Sequence, residues 1–387
     1  MKNDEILVHN GGGAKIDTTN GVHLGCCAYD GVYSDEQYQW LAEHFDVIIL
    51  HENHNDKIDF IKSVNPDVIL LCYRFCGVDR SKNIGCGSFH WIDKNHPEWF
   101  LLDKDGSRIT DYFNEYSKRN VYLMDFRNSG WRHYLAQDIV QTAKIQGWDG
   151  IFLDGMHVNI GDYWAPNGIR GYKNNREFNK AVKGFLSTIY PYFKESNKLL
   201  IPNACECIKV KDSWEAWLNF SDGGVDEGFS SISNWSPADI WRNPGEWMSQ
   251  ILYMEYTGDQ DKLFYAYSQG RWLNERDLLY NLASYLIGKR GGKDVFCNGA
   301  GGCSYSKIKR DYDAFKDFYN APIGTPLGER YKSQGVWQRD YSNGRVLVNP
   351  SSEGYHVELG KVYRTVNNIT LTSLTLGNHE GMILLNY

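Results

Sequence analysis

The strongest constraint on the fold of this chain is a repeated alternation. Short apolar runs ending in polar or aromatic residues are each followed by an amphipathic segment. The apolar runs span 24–29, 47–50, 68–74, 121–125, 150–154, 199–203, 224–229 and 263–268, eight in all. Amphipathic stretches at 35–45, 54–63, 130–146, 175–194, 237–256 and 274–290 read as helices. In 130–146, Trp131, Leu135, Ile139, Val140 and Ala143 recur at helical spacing and Gly147 ends the run. Strands and helices in this rhythm predict a parallel sheet with crossover helices, and eight units predict a closed (β/α)8 TIM barrel. A doubly wound sheet is the alternative, but no run is followed by GxGxxG or a P-loop.

A barrel of about 250 residues or more leaves room for a second domain in 387 residues. Residues 1–20, with Gly11-Gly12-Gly13, read as a flexible terminus, and 21–325 as the barrel. Beyond 330 the pattern changes to short strands at 336–340, 345–349, 355–359, 370–374 and 382–386, split by turn residues. This predicts a small C-terminal antiparallel β-sandwich over 330–387. The stretch 77–120 is too long for a simple crossover and reads as a loop insertion at the barrel's C-terminal face.

Composition narrows the ligand. Thirteen Trp and 26 Tyr exceed what a core ordinarily needs, and sugar-binding clefts use such rings. A net charge of −7, with KIKR at 307–310 as the densest basic cluster, argues against nucleic acid. The longest apolar runs are too short to span a bilayer. The start, MKNDEILVHN, lacks a signal-peptide core, so the chain as given is expected in the cytoplasm, or outside the cell if a leader preceded it. Nine cysteines form no paired CxxC grid, and Cys72, Cys76 and Cys86 are too irregularly spaced to predict zinc. No cofactor or metal is expected, and the oligomeric state is not legible.

Two carboxylates are placed to carry chemistry. The run GWDGIFLDG ends in Asp154, and GGVDEGF delivers Glu227; a glycine follows each. Asp149, at the start of its strand, belongs to the opposite, stabilising end. A pair of carboxyl groups is what cleavage of a glycosidic bond requires: one acid for the leaving oxygen, one carboxylate to attack or to activate water. Other strand ends supply a candidate substrate-binding shell of Tyr29, Asp30, Tyr73, Arg74, Asp125, Arg127, Asn203 and Tyr267, with His157 and Glu206 just beyond. Arg127 and Arg74 are expected near Asp154, keeping it ionised, while the apolar neighbours of Glu227 favour its protonated form.

These residues carry a resemblance. The order of a Tyr-Asp strand, LMDFRNSGWRHYL, GWDGIFLDG, the Asn of LLIPNA, GGVDEGF and QRDYSNGRVLVNP resembles hypothetical glycosyl hydrolase family fifteen and, more distantly, the endo-α-1,4-polygalactosaminidases. It covers nearly the whole chain. The resemblance implies a TIM barrel, a C-terminal β-domain and catalytic carboxylates at Asp154 and Glu227, with retention of configuration, but fixes no sugar. The reading is therefore a glycosidase acting on a poly- or oligosaccharide. A non-catalytic carbohydrate-binding protein on the same scaffold fits the aromatics but leaves the two carboxylates unexplained. A metal-dependent barrel hydrolase ranks lowest, because the histidines are scattered and no HxH ends a strand.

Overall fold

The computed structural model describes residues 21–80, 88–110, 121–158, 165, 167–204, 207–208, 210, 212–232 and 240–387. The expected flexible terminus, Cys86 and Glu206 lie outside the described residues. The fold is mixed α/β with a separate antiparallel sheet at the C-terminus. Two compact units divide the chain: residues 1–48, 61–69 and 225–387 form the first, and 49–60 with 70–224 the second.

In the second unit, β3 (Ile69–Phe75), β6 (Gly150–Asp154) and β7 (Leu199–Pro202) pair in parallel in that order. β3 is ILLCYRF with every residue buried, as expected for a parallel strand covered on both faces. The helix Ser129–Gln146 follows the reading closely. Asn128 caps it by accepting from the Trp131 amide, and Gly147, at φ 82°, ends it. The helix Asn175–Ser196 is closed in the same way by Asn174 and by left-handed Asn197.

In the first unit, β8 (Gly223–Ile232), β9 (Leu263–Gln269) and β10 (Asp294–Asn298) form a sheet with β9 central, and Leu24, beside β1 (Gly25–Cys27), bridges in parallel to Phe296. β2 (Val47–Leu50) begins at the edge of β1, where Val47 donates to the Leu24 carbonyl.

Two expectations about strands are corrected. The segment 121–125 is not a parallel strand, since β3 pairs directly with β6. Its first residues form β5 (Val121–Tyr122), antiparallel to β4 (Val78–Asp79), and Leu123 exchanges hydrogen bonds with Leu101 and Ile109. The insertion supplies antiparallel partners that satisfy the segment's backbone groups. The parallel strand that the reading missed is β10. DVFCN starts with a charge and is flanked by glycine-rich loops, so it carries little strand signal.

At the C-terminus, β11 (Tyr331–Ser333), β12 (Val336–Tyr341), β13 (Gly344–Asn349), β14 (Tyr355–Thr365), β15 (Thr370–Leu376) and β16 (Glu380–Asn386) join in one six-stranded antiparallel sheet rather than two separate ones. One apolar cluster, Val336, Leu347, Val357, Leu359, Tyr363, Leu376 and Leu384, draws on five of these strands. Buried Arg339 donates to the carbonyls of Leu286, Ile287 and Lys289 and so caps the helix Glu275–Gly288, and Tyr341 Oη donates to Leu286 as well. A cation there satisfies carbonyls that the helix end leaves without partners.

The starts of the strands carry a recurring clasp. The Asp149 amide donates to the Leu70 carbonyl at 3.0 Å while its Oδ2 accepts from the Leu70 amide at 2.7 Å. Asp46 does the same with Leu24, and Asp222 with Leu200. Asp149 is thus the stabilising residue that the sequence suggests. Removing the carboxylate in Asp149→Ala should cost about 1–3 kcal/mol in chemical or thermal unfolding. A loss within experimental error would show that the clasp does not hold the strand start.

Candidate active site

In the second unit, Asp154 ends β6 and is partly buried. Tyr73 Oη donates to Asp154 Oδ2 at 2.7 Å, and Asn203 Nδ2 donates to Oδ1 at 3.0 Å. Tyr73 sits on the neighbouring β3 and Asn203 just past β7, so side chains from both flanking strands meet the carboxylate at its two oxygens. The backbone then turns sharply. Gly155 lies at φ +77°, and a Cβ there would meet the Phe75 ring at 2.4 Å, so glycine is required on both counts. The Asp154 carbonyl accepts from the Cys76 amide, and Cys76 Sγ donates to the Gly155 carbonyl at 2.9 Å, tying down the turn.

Three other shell residues of this unit have different partners. Arg74 is buried and donates to Glu52 and to Asp138, on the helix Ser129–Gln146. Successive strand residues point to opposite faces, so Tyr73 and Arg74 cannot both turn toward Asp154. The cation expected beside Asp154 is therefore on the helix side. Asp125 and Arg127 pair with each other, and Tyr172 Oη donates to Asp125 Oδ1 at 2.8 Å. Arg127 also donates to the Arg170 and Gly171 carbonyls and lies over the Tyr172 ring, which anchors the loop before the helix Asn175–Ser196. Burial raises the Asp125 carboxyl, but the bonds from Arg127 and Tyr172 outweigh it and hold Asp125 below the ordinary range. His157 lines a small cavity with apolar neighbours that include Phe126 and Phe178.

In the first unit, Glu227 lies within β8, partly buried, and its Oε1 accepts from Gln269 Nε2 at 2.9 Å. Gly228 has φ +85°, with Ile232 and Arg242 packed where a side chain would go. Both acidic positions thus precede a left-handed glycine, as GWDGIFLDG and GGVDEGF suggest. Gln269 is the last residue of β9 and was missed by the sequence reading, which ended that strand at Ser268.

Tyr267, on the same strand, is buried, and its hydroxyl lies 4.0 Å from Cys303 Sγ. Burial, then Cys303, the thiols of Cys27 and Cys297, and Glu227 push its phenol well above the usual value. Tyr29 also hydrogen-bonds Cys303. Glu227, Tyr267 and Tyr29 are therefore drawn to one region of this unit. Asp30 is exposed, and its backbone amide donates to the Cys303 carbonyl.

Asp226 alternates with Glu227 and faces the helix Pro244–Asp259, where Gln250 hydrogen-bonds it. It is fully buried, and burial lifts it to about 7, only partly opposed by Arg242 and Gln250. In the unfolded chain an aspartate gives up its proton near 4. The folded state therefore gains from protonated Asp226 below about pH 4 and loses that gain as pH rises through about 7. Asp226→Asn should leave the melting temperature at pH 4 close to wild type and raise it relative to wild type at pH 8. Equal pH slopes for the two proteins would contradict this.

The comparisons with known proteins agree with this architecture. The model of hypothetical glycosyl hydrolase family 15 matches residues 62–345. No curated protein matches the chain in sequence. A solved noncanonic maltogenic alpha-amylase from Thermotoga neapolitana is 11% identical, with 95% of this chain and 99% of that one covered at a TM-score of 0.52. A β-L-arabinopyranosidase from Geobacillus stearothermophilus, in complex with arabinose, is 9% identical with 96% and 97% covered, also at 0.52. An isomalto-dextranase from Arthrobacter globiformis T6, complexed with panose, is 13% identical with 96% and 73% covered at 0.51. At these identities the likeness is one of fold. Among the described residues, no helix is long and apolar enough to cross a membrane.

Proposed function

The chain belongs to hypothetical glycosyl hydrolase family 15 and is a glycosidase, and from that premise we propose that Asp154 and Glu227 are its two reacting carboxylates. The observation that carries this reading is the paired design of the two positions. Each is a partly buried acid on a strand, fixed by an amide side chain and released by a left-handed glycine. We further propose that β1–β3 and β6–β10, eight strands in all, are those of a closed (β/α)8 barrel. In such a barrel both acids would stand at the C-terminal ends of their strands, where the chemistry of this fold is done. The folds of the maltogenic amylase and the arabinopyranosidase support that architecture.

The roles follow from the partners. Asp154 accepts a hydrogen bond at each oxygen, which suits an oriented carboxylate acting on the anomeric carbon. Glu227, whose Oε1 accepts from Gln269, is cast as the acid that protonates the departing oxygen and then as the base that activates water. On this account the bond from sugar to leaving oxygen breaks as Asp154 bonds to the sugar, and water later restores free Asp154 with net retention. Tyr73 and Asn203 position the nucleophile. The substrate is a poly- or oligosaccharide, and no step calls on a metal or cofactor.

Asp154→Asn and Glu227→Gln should each fold normally and lose at least about 10²–10⁴-fold in turnover of any glycan that the wild type cleaves. Proton NMR of the first-formed product should show the anomer of the substrate. Near wild-type turnover in either variant would remove that residue from the mechanism, and an inverted product would replace the covalent step with direct attack by water.

A further inference from the structure

We propose that Trp272, Lys307 and Arg310 form a subsite for an anionic sugar residue, so that the glycans taken by this enzyme carry carboxylate or sulfate groups. The inference names a substrate class and rests on the glycosidase reading only for its place in the reaction. Trp272 follows β9 by three residues, and that strand's last residue, Gln269, holds Glu227. The indole is 39% exposed, an unusual state for the largest apolar side chain in a protein whose other described tryptophans, Trp91 apart, are more covered. It rests against the loop after β10, where a Cβ on Gly301 would meet its Nε1 at 2.7 Å. A glycine at that position leaves the space that the ring occupies.

Two cations stand over the same ring. The Arg310 guanidinium is 5.1 Å and the Lys307 ammonium 6.0 Å from its centroid, both on the helix Tyr305–Tyr319 that follows the loop. They are the outer charges of the KIKR run, the densest basic cluster of a chain with net charge −7. The neighbouring charges are already matched. Lys309 pairs with Asp313 at 2.8 Å, and Arg271 holds the buried carboxylate of Asp277 through two bonds. Among the described residues, neither Lys307 nor Arg310 has a carboxylate partner.

The part of the indole left exposed packs against the apolar face of a pyranose, and the two cations over the ring, neither with a carboxylate partner, take an anion on that same sugar. A neutral sugar would use the indole and leave both cations idle. A non-sugar polyanion would use the cations and leave the indole idle. The combination therefore fits an acidic sugar.

Affinity electrophoresis of the full chain in gels of matched polymers tests this: polygalacturonate against neutral galactan, and dextran sulfate against dextran. The wild type should be retarded by at least one anionic polymer and by neither neutral partner, and which one identifies carboxylate or sulfate as the anion. Trp272→Ala and the double variant Lys307→Gln, Arg310→Gln should each weaken binding about tenfold or more, with unchanged melting temperatures. Equal retardation of wild type and variants, no retardation by either anionic polymer, or equal retardation by a neutral partner would overturn the subsite. Asp154→Asn should bind like wild type. If it also kept its turnover while the Trp272 effect held, the carboxylate assignment would fail and the subsite would stand.

Discussion

The structure depends on the register of its strands, and the clasp made by Asp46, Asp149 and Asp222 is where that register is set. In each case one aspartate just before a strand uses both its amide and its carboxylate on a single leucine. The pairing is specific to one alignment, because a shift of one residue would separate both contacts at once. Side chains alternate along a strand, so the same shift would exchange the two faces. Along β3 it would put Arg74 where Tyr73 now meets Asp154, and along β8 it would put Asp226 in place of Glu227. An interaction at the start of each strand therefore decides which acid is delivered at its far end.

That alternation also explains the different environments of adjacent acids. Asp226 faces a helix, is wholly buried and holds its proton to about pH 7, whereas Glu227 beside it is partly open and meets an amide. Asp125 is held ionised by Arg127, in a pair that fastens a loop. Asp154 receives neutral donors at both oxygens. Of these four acids, only Asp154 and Glu227 combine partial exposure, neutral hydrogen-bond partners and a left-handed glycine on the C-terminal side.

Much of this was legible in the chain. An acid followed by glycine after an apolar run is a strong local pattern, because it joins the strand's burial to a turn that only glycine makes easily. Capped helices such as Ser129–Gln146 were equally plain, since Asn128 and Gly147 mark both ends. What failed was pairing, which is not local. The segment 121–125 has a strand's composition, but its partners come from an insertion and run antiparallel to it. β10 has the right partners and a weak composition. Arg74 was placed with Tyr73 because both end the same run, although consecutive residues of a strand cannot share a face. Gln269 and Trp272 were missed because neither amide nor indole stands out until the strand before it has a fixed end.

The central claim is that Asp154 attacks the sugar and Glu227 serves the leaving group, and chemical rescue separates the two roles most directly. On an aryl glycoside that the wild type hydrolyses, Asp154→Ala and Glu227→Ala would each be assayed with and without sodium azide. The account expects azide to revive Asp154→Ala by attacking the sugar in place of the missing carboxylate, giving a glycosyl azide of inverted configuration. It expects Glu227→Ala to give the azide of retained configuration, formed from the sugar bound to Asp154. A retained azide from Asp154→Ala, or revival of neither variant together with wild-type turnover in both, would contradict the assignment.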